Sequence, residues 1–146
     1  MNKQNKPLIV LLAATETSAS VLYGLYDVLQ SAGAVYSDMV MGAPGDELLN
    51  VRIVSADGKP FHCIGNIPIA PHHSIDEIEI ADVVVVCDMY TAIYDIPKDR
   101  YPREISWLRK MHNNGALLSS VCSGALLLAE SGLLNGHQAT AHWAYR

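Results

Sequence analysis

Ala81-Asp82-Val83-Val84-Val85-Val86-Cys87-Asp88 sets the architecture of this chain. Four successive valines between aspartates are apolar at every position over a strand-length run, the pattern of a strand covered on both faces, as in parallel α/β sheets. Such a strand carries Cys87 and Asp88 to its carboxyl edge, where ligands bind in open α/β sheets. Upstream, Leu8-Ile9-Val10-Leu11-Leu12 repeats the pattern. Thr17, Ser18 or Ser20 is placed to cap a helix reaching about Ala32. Its apolar positions Val21, Leu22, Leu25, Val28 and Leu29 fall at helical spacing, and Gly33 is its stop. Strand, turn, helix is the opening unit of an α/β domain.

Working outward, a second strand is predicted over Tyr36 to Met41. Val51 to Ser55 and Phe61 to Ile64, on either side of the turn Asp57-Gly58-Lys59-Pro60, read as a hairpin or a pair of short strands. After the valine strand come a polar loop from Pro97 to Arg103, a helix over Glu104 to Asn113 with Ile105 and Leu108 inward, and Gly115 as its end. Ala116 to Val121 is a strand, and Ser123 to Leu128 or beyond is a helix that stops near Gly132. Asp95, Lys98, Asp99, Arg100, Arg103 and Glu104 make a mixed-charge stretch, read as solvated surface. No repeat or linker divides the chain, so one domain spans 1–146.

Composition narrows the function classes. The chain has 146 residues, 50% apolar and 17% charged, which excludes a disordered tail and suits one domain on the rough scale of 100–200 residues each. Ten Lys and Arg against fifteen Asp and Glu give a formal charge of −5. Phosphate binding draws on clustered basic residues, so this segment is not expected to hold nucleic acid itself. Three cysteines, Cys63, Cys87 and Cys122, are too far apart for a disulfide framework or a zinc pair, which points to a reducing cytoplasm. The basic start followed by Leu8 to Ala14 imitates a signal peptide. It is too short to span a bilayer and runs into polar Thr15-Glu16-Thr17-Ser18, so a buried first strand is preferred and no membrane association is expected.

The chemistry concentrates at Ser120-Val121-Cys122-Ser123-Gly124-Ala125, where a strand turns directly into a helix among small residues. That is the geometry of a nucleophile elbow. A sulfur over a helix N-terminus gains from unpaired N–H groups and the dipole, so Cys122 is expected to ionise readily and react first of the three thiols. The bland alternative is a small thiol filling a buried space at the turn. Further on, Gln138 to Ala141 is expected to form a short strand that returns His142 to the same edge, where it is placed to pair with the thiolate. Alternatively His142 only bonds a loop. His72-His73 and His62 are read as solvated loop residues, with no metal site, because adjacent histidines point apart. Trp107 and Trp143 are read as packing residues, and Tyr23 and Tyr26 as a candidate dimer face.

Trp107-Leu108-Arg109, the run from Ser120 through Gly136, and Ala139-Thr140-Ala141-His142-Trp143 together resemble the PfpI/ThiJ superfamily. Its fold resembles the class I glutamine amidotransferases. Within it, the chain is most similar to the N-terminal domains of AraC-type transcriptional regulators. The resemblance is dense from Trp107 to Trp143 and looser before, where Val54 to Gly58 and Ala81 to Val85 also fit. It implies a flavodoxin-like three-layer α/β/α sandwich with a mostly parallel central sheet, Cys122 at the reactive-cysteine position and His142 at the following histidine position. Three departures stand out. The acidic residue that catalytic members carry in the first helix is replaced by Val21. Cys87-Asp88-Met89-Tyr90 stands where many members have a glycine pair, and Ser123 follows the cysteine where protease and chaperone-type members often have histidine.

A nucleophilic cysteine needs a proton-moving group and oxyanion donors, each contributing a few kcal/mol. With those supports missing, the resemblance implies a ligand-sensing domain of an AraC-type regulator. A small metabolite would bind near Asp88, Met89, Cys122, Ser123, Gly124 and His142, with no cofactor. The alternative is a PfpI/ThiJ-type cysteine enzyme, an amidase, isonitrile hydratase or glyoxalase-like protein, using Cys122 and His142 with Asp88 or Glu16 as the acid. A third possibility is a redox sensor in which Cys122 is oxidised. The resemblance further implies a homodimer, DNA contact only through a helix-turn-helix domain outside these residues, and further strands and a helix beyond Arg146 that close the sheet.

Overall fold

The computed structural model describes residues 6–92 and 98–145. Its centre is a five-stranded parallel sheet. The strands are β1 (Leu8–Leu12), β2 (Asn50–Ser55), β5 (His73–Ser74), β6 (Val83–Val86) and β7 (Leu117–Ser120), in the order β5-β2-β1-β6-β7. A two-stranded antiparallel unit, β3 (Phe61–Cys63) with β4 (Ile67–Ile69), stands apart from it. The helices are α1 (Ala19–Gln30), α2 (Ala34–Met41), α3 (Pro102–Asn113) and α4 (Ala125–Glu130).

The apolar runs behave as their composition demands. Val10, Leu11, Val84 and Val86 are essentially inaccessible, because alternate side chains of each strand meet a different layer. On one face Ile9, Leu11, Val51, Ile53 and Val85 pack with Leu22 of α1 and with Cys63 and Ile69 of the β3–β4 unit. On the other Val10, Leu12, Val84 and Val86 pack with Trp107, Leu108 and Met111 of α3 and Leu127 and Leu128 of α4. Full burial of one such aliphatic side chain is worth about 1.5–3 kcal/mol. The result is an α/β/α sandwich with a parallel sheet. No helix among the described residues is long and apolar enough to cross a membrane.

Several expectations need correction. Residues 36–41 lie in helix α2, not in a strand. Gly33 and Gly42, at φ 87° and 70°, bracket it, and the place beside β1 that a strand there would have sought is taken by β2. Of the two readings across Asp57–Pro60, the pair of short strands is the one that forms, as β2 and β3, and the hairpin is not. β2 pairs with β1 on one side and β5 on the other, so it has no edge left to offer, and β3 pairs with β4 instead. Residues 138–141 form no strand. They hold no apolar side chain larger than alanine and are exposed, so a strand there would bury nothing.

The aromatic expectations divide. Trp107 is buried and its Nε1 donates to the Ile78 carbonyl at 3.2 Å, whereas Trp143 is 71% exposed and packs nothing away. Tyr23 donates to the Pro68 carbonyl and Tyr26 stacks on His72, so both tyrosines already have partners within the chain. Asp95 and Pro97 lie outside the described residues.

Candidate functional site

Parallel strands deliver their carboxyl ends to one edge, and three loops meet there, after β1, β6 and β7. Leu12, Val86 and Ser120 lie side by side in register, so the first residues beyond each strand are held against those of its neighbours. Cys122 comes after β7 in a tight turn, Cys122–Gly124, that runs directly into α4. Its φ is 51°, a left-handed conformation that costs a side-chain-bearing residue of the order of 1–3 kcal/mol and persists only where its surroundings enforce it. Gly124 explains how the turn closes. A Cβ there would lie 2.5 Å from the carbonyl oxygens of both Val86 and Cys87, so only glycine lets α4 begin this close to β6.

The polar residues around the turn are committed to backbone and to each other. Ser123 is buried, and its hydroxyl donates to the Met89 carbonyl at 2.7 Å and accepts from the Met89 N–H at 2.9 Å. Asp88 accepts from the Ser18 hydroxyl at 2.5 Å and the Ser18 N–H at 3.3 Å. Ser18 occupies the N-cap position of α1 without capping it; its hydroxyl turns to Asp88 instead. Cys122, by contrast, is the exposed thiol of the three. Cys87 is buried, and burial first and the Asp88 charge second push its thiol up to about 12, which leaves it inert.

His142 sits in the segment that returns to this edge, where the Tyr145 hydroxyl donates to the Thr91 carbonyl at 2.5 Å. Its own contacts are local: Nδ1 accepts from the Ala144 N–H at 3.3 Å, and the ring lies 5.4 Å from that of Trp143 and 5.9 Å from that of Tyr145. Among the described residues no hydrogen bond joins it to Cys122. The loops therefore bring Asp88, Met89, Ser123 and Gly124 together tightly, while Cys122 and His142 are not bonded to each other.

Glu104, expected on the surface, is instead inside. It is 9% exposed and lines a small pocket with Leu12, Ala14, Thr17, Cys87, Met89 and Leu127. Burial, and further down the nearby Glu16 charge, raise its pKa. Burial first, then Glu16, also hold the Tyr101 hydroxyl protonated well above its usual range. Glu16 itself accepts from the Thr15 hydroxyl at 2.7 Å, pairs with Arg100 at 3.8 Å, and its carbonyl receives the Tyr90 N–H at 2.8 Å. The signal for Glu104 was present in the sequence: with Leu108 and Met111 it falls at i, i+4 and i+7, on the inward stripe of α3. His72 accepts the Ile53 N–H at 2.9 Å through Nδ1, and burial lowers its pKa. Among the described residues no cluster of three or more His, Cys, Asp or Glu is placed to hold a metal ion.

Residues 8–146 match the DJ-1/PfpI family. The chain belongs to that family. Among curated proteins it is 29% identical over 97 residues to the HTH-type transcriptional regulator CdhR of Pseudomonas aeruginosa, covering 66% of this chain and 28% of that protein. It is 27% identical over 124 residues to the isonitrile hydratase of Pseudomonas putida, covering 85% of this chain and 47% of that protein. In fold it matches the crystal structure of an AraC family transcriptional regulator from Pseudomonas putida with a TM-score of 0.73 at 18% identity, over 96% of this chain and 69% of that one. This DJ-1/PfpI domain thus spans less than half the length of either curated relative.

Proposed function

We propose that this DJ-1/PfpI chain is the ligand-sensing part of an AraC-type transcriptional regulator, binding a small metabolite at the carboxyl edge beside Cys122. One observation carries the choice of sensing over catalysis. The polar side chains packed under the turn, Asp88 and Ser123, spend their hydrogen bonds on Ser18 and on the Met89 backbone. A hydrolytic or hydrating cysteine needs a group free to move a proton and donors free to meet an oxyanion. Similarity to CdhR supports the regulator class. The ligand's contacts fall to Cys122 and His142, with Met89 flanking them, while Asp88, Ser123 and Gly124 hold the shape of the site. DNA contact belongs to a helix-turn-helix domain outside these residues, in keeping with the charge of −5, and the location is the cytoplasm.

A second possibility rests on the exposed, left-handed Cys122 and on similarity to an isonitrile hydratase: a cysteine enzyme acting on a small molecule. Turnover assays with an isonitrile, a primary amide and methylglyoxal separate the two. No turnover is expected. Turnover by the chain that disappears in Cys122→Ala overturns sensing in favour of catalysis.

A further inference from the structure

Two asparagine–glycine pairs stand in this chain, Asn114-Gly115 and Asn135-Gly136. Asparagine is thermolabile, and a glycine after it leaves the following backbone nitrogen open to reach its amide carbon, because no Cβ shields that nitrogen. Both glycines have open space where a Cβ would stand, so steric cover does not separate the pairs. Hydrogen bonding does. Asn114 ends α3 with its N–H donating to the Lys110 carbonyl at 3.0 Å and its Nδ2 donating to the Glu79 carbonyl at 2.9 Å, and the Gly115 N–H donates to the His112 carbonyl at 2.9 Å. The amide and the nitrogen that would attack it are therefore both occupied. Asp57-Gly58, the aspartate version of the same pair, is tied in the same way: the Gly58 N–H donates to the Ser55 hydroxyl oxygen at 3.2 Å, and the Asp57 carboxylate accepts from the Lys59 N–H at 3.0 Å. Asn135 and Gly136 differ. They are the central residues of an exposed turn beyond α4, closed by the His137 N–H on the Leu134 carbonyl at 3.0 Å. The turn holds Gly136 at φ 79°, so glycine is required there for its conformation. Among the described residues neither the Asn135 side chain nor the Gly136 N–H has a hydrogen-bond partner.

We propose that Asn135 is a site of spontaneous covalent modification, deamidated in the folded chain while Asn114 is spared. The Gly136 backbone nitrogen gives its proton to hydroxide and attacks Cγ of Asn135. A new C–N bond forms there as the bond to Nδ2 breaks, and Nδ2 takes up a proton from water and leaves as ammonia, which closes a cyclic succinimide. Water then adds to either ring carbonyl and opens the ring. One opening gives aspartate, and the other gives isoaspartate, in which the main chain runs through Cβ. Nothing is oxidised or reduced, and water is the only co-reactant. Either product makes the chain one unit more negative than its formal −5. Isoaspartate also adds a carbon to the main chain inside a tight turn, at the joint between α4 and the segment that carries His142 and Tyr145. That segment is tied to the loop after β6 by the Tyr145 hydroxyl on the Thr91 carbonyl, the contact on which a longer turn pulls. Modification therefore acts on the reach of His142 and leaves the frame built by Asp88 and Ser123 intact. The site stands independently of whether the carboxyl edge senses or catalyses.

The test is peptide mass mapping of the 146-residue chain during incubation at mildly alkaline pH, folded and in urea, continued until the unfolded chain has converted, with isoaspartate read by enzymatic methylation of its carboxylate. In the folded chain the peptide holding Asn135 is expected to gain the mass of an amide-to-acid conversion about tenfold faster than the peptide holding Asn114, whose side-chain and Gly115 hydrogen bonds must open first. In urea the two pairs should convert at the same rate, since structure alone separates them. Asn135→Gln should remove the fast product and the methylation that goes with it, whereas Asn114→Gln should change neither. Equal rates in the folded chain overturn the proposal, as does faster conversion at Asn114. So does an Asn135 that is intact in the folded chain when the unfolded chain has converted. Hydrogen exchange across residues 137–145 should be faster in the isoaspartyl form, separated by its added charge, and unchanged exchange there overturns the effect on the His142 segment.

Discussion

The carboxyl edge of the sheet holds two kinds of polar residue side by side. Asp88 and Ser123 are tied down: each makes two hydrogen bonds that join one loop to another. Cys122, next to Ser123 in the chain, is exposed and held in a left-handed conformation. The clamped residues form the frame, and the exposed one is what that frame presents to solvent. Chemistry and architecture are thus divided between neighbours one residue apart, and a residue's type alone does not reveal which duty it has.

Substitutions break or sharpen that division. The largest effect is expected at Gly124→Ala, where the new methyl group meets two backbone carbonyls that cannot step aside; a loss of about 3 kcal/mol in urea unfolding is expected. Next is Ser123→Ala, which strands the N–H and carbonyl of Met89 in a buried place and should cost about 2 kcal/mol. Asp88→Ala releases the start of α1 and should cost about 1 kcal/mol. Cys122→Gly should do the opposite and gain about 0.5 kcal/mol, since glycine relieves the left-handed strain at some entropic cost to folding. If the cysteine substitution were as harmful as the first three, Cys122 would belong to the frame. Timed alkylation read by mass spectrometry is the companion measurement, with Cys122 modified well before the buried Cys63 and Cys87.

The smallest effect is expected at Glu104, as a pH dependence. Burial raises its carboxyl above the ordinary 4.5, so the folded state binds this proton more tightly than the unfolded chain. The stability tied to that proton is present in acid and lost as pH rises from the unfolded value through the folded one. Glu104→Gln keeps the neutral shape. The variant should match the wild type in acid, below the ordinary carboxylate range, and be the more stable of the two at neutral pH, as compared by urea midpoints. Equal pH profiles for both proteins would return Glu104 to the surface.

Much of the fold was legible because the signals were redundant. Leu8–Leu12 and Val83–Val86 are apolar at every position, and only a strand covered on both faces explains runs of that length. Residues 36–41 were not legible, because an apolar stretch reads as buried wherever burial is the working assumption, and here it is the helix that stays outside. Residues 138–141 carry no side chain with something to bury, so the chain returns His142 without a strand. At the site, the turn at Cys122 was visible in its small neighbours. The partners of Asp88 and Ser123 were not, since Ser18 lies 70 residues from Asp88 and Met89 lies 34 from Ser123. Local sequence carries no record of such pairings. Glu104 is legible from its spacing with Leu108 and Met111, which outweighs its charge in placing it inside.

Strand β7 has a neighbour on one side alone within the described sheet, and its Leu117 is 66% exposed. A parallel strand in that position offers a row of N–H and carbonyl groups with no charge, proline or bulge within it to turn other chains away. Any extended segment that reaches it gains backbone hydrogen bonds without needing a matching sequence.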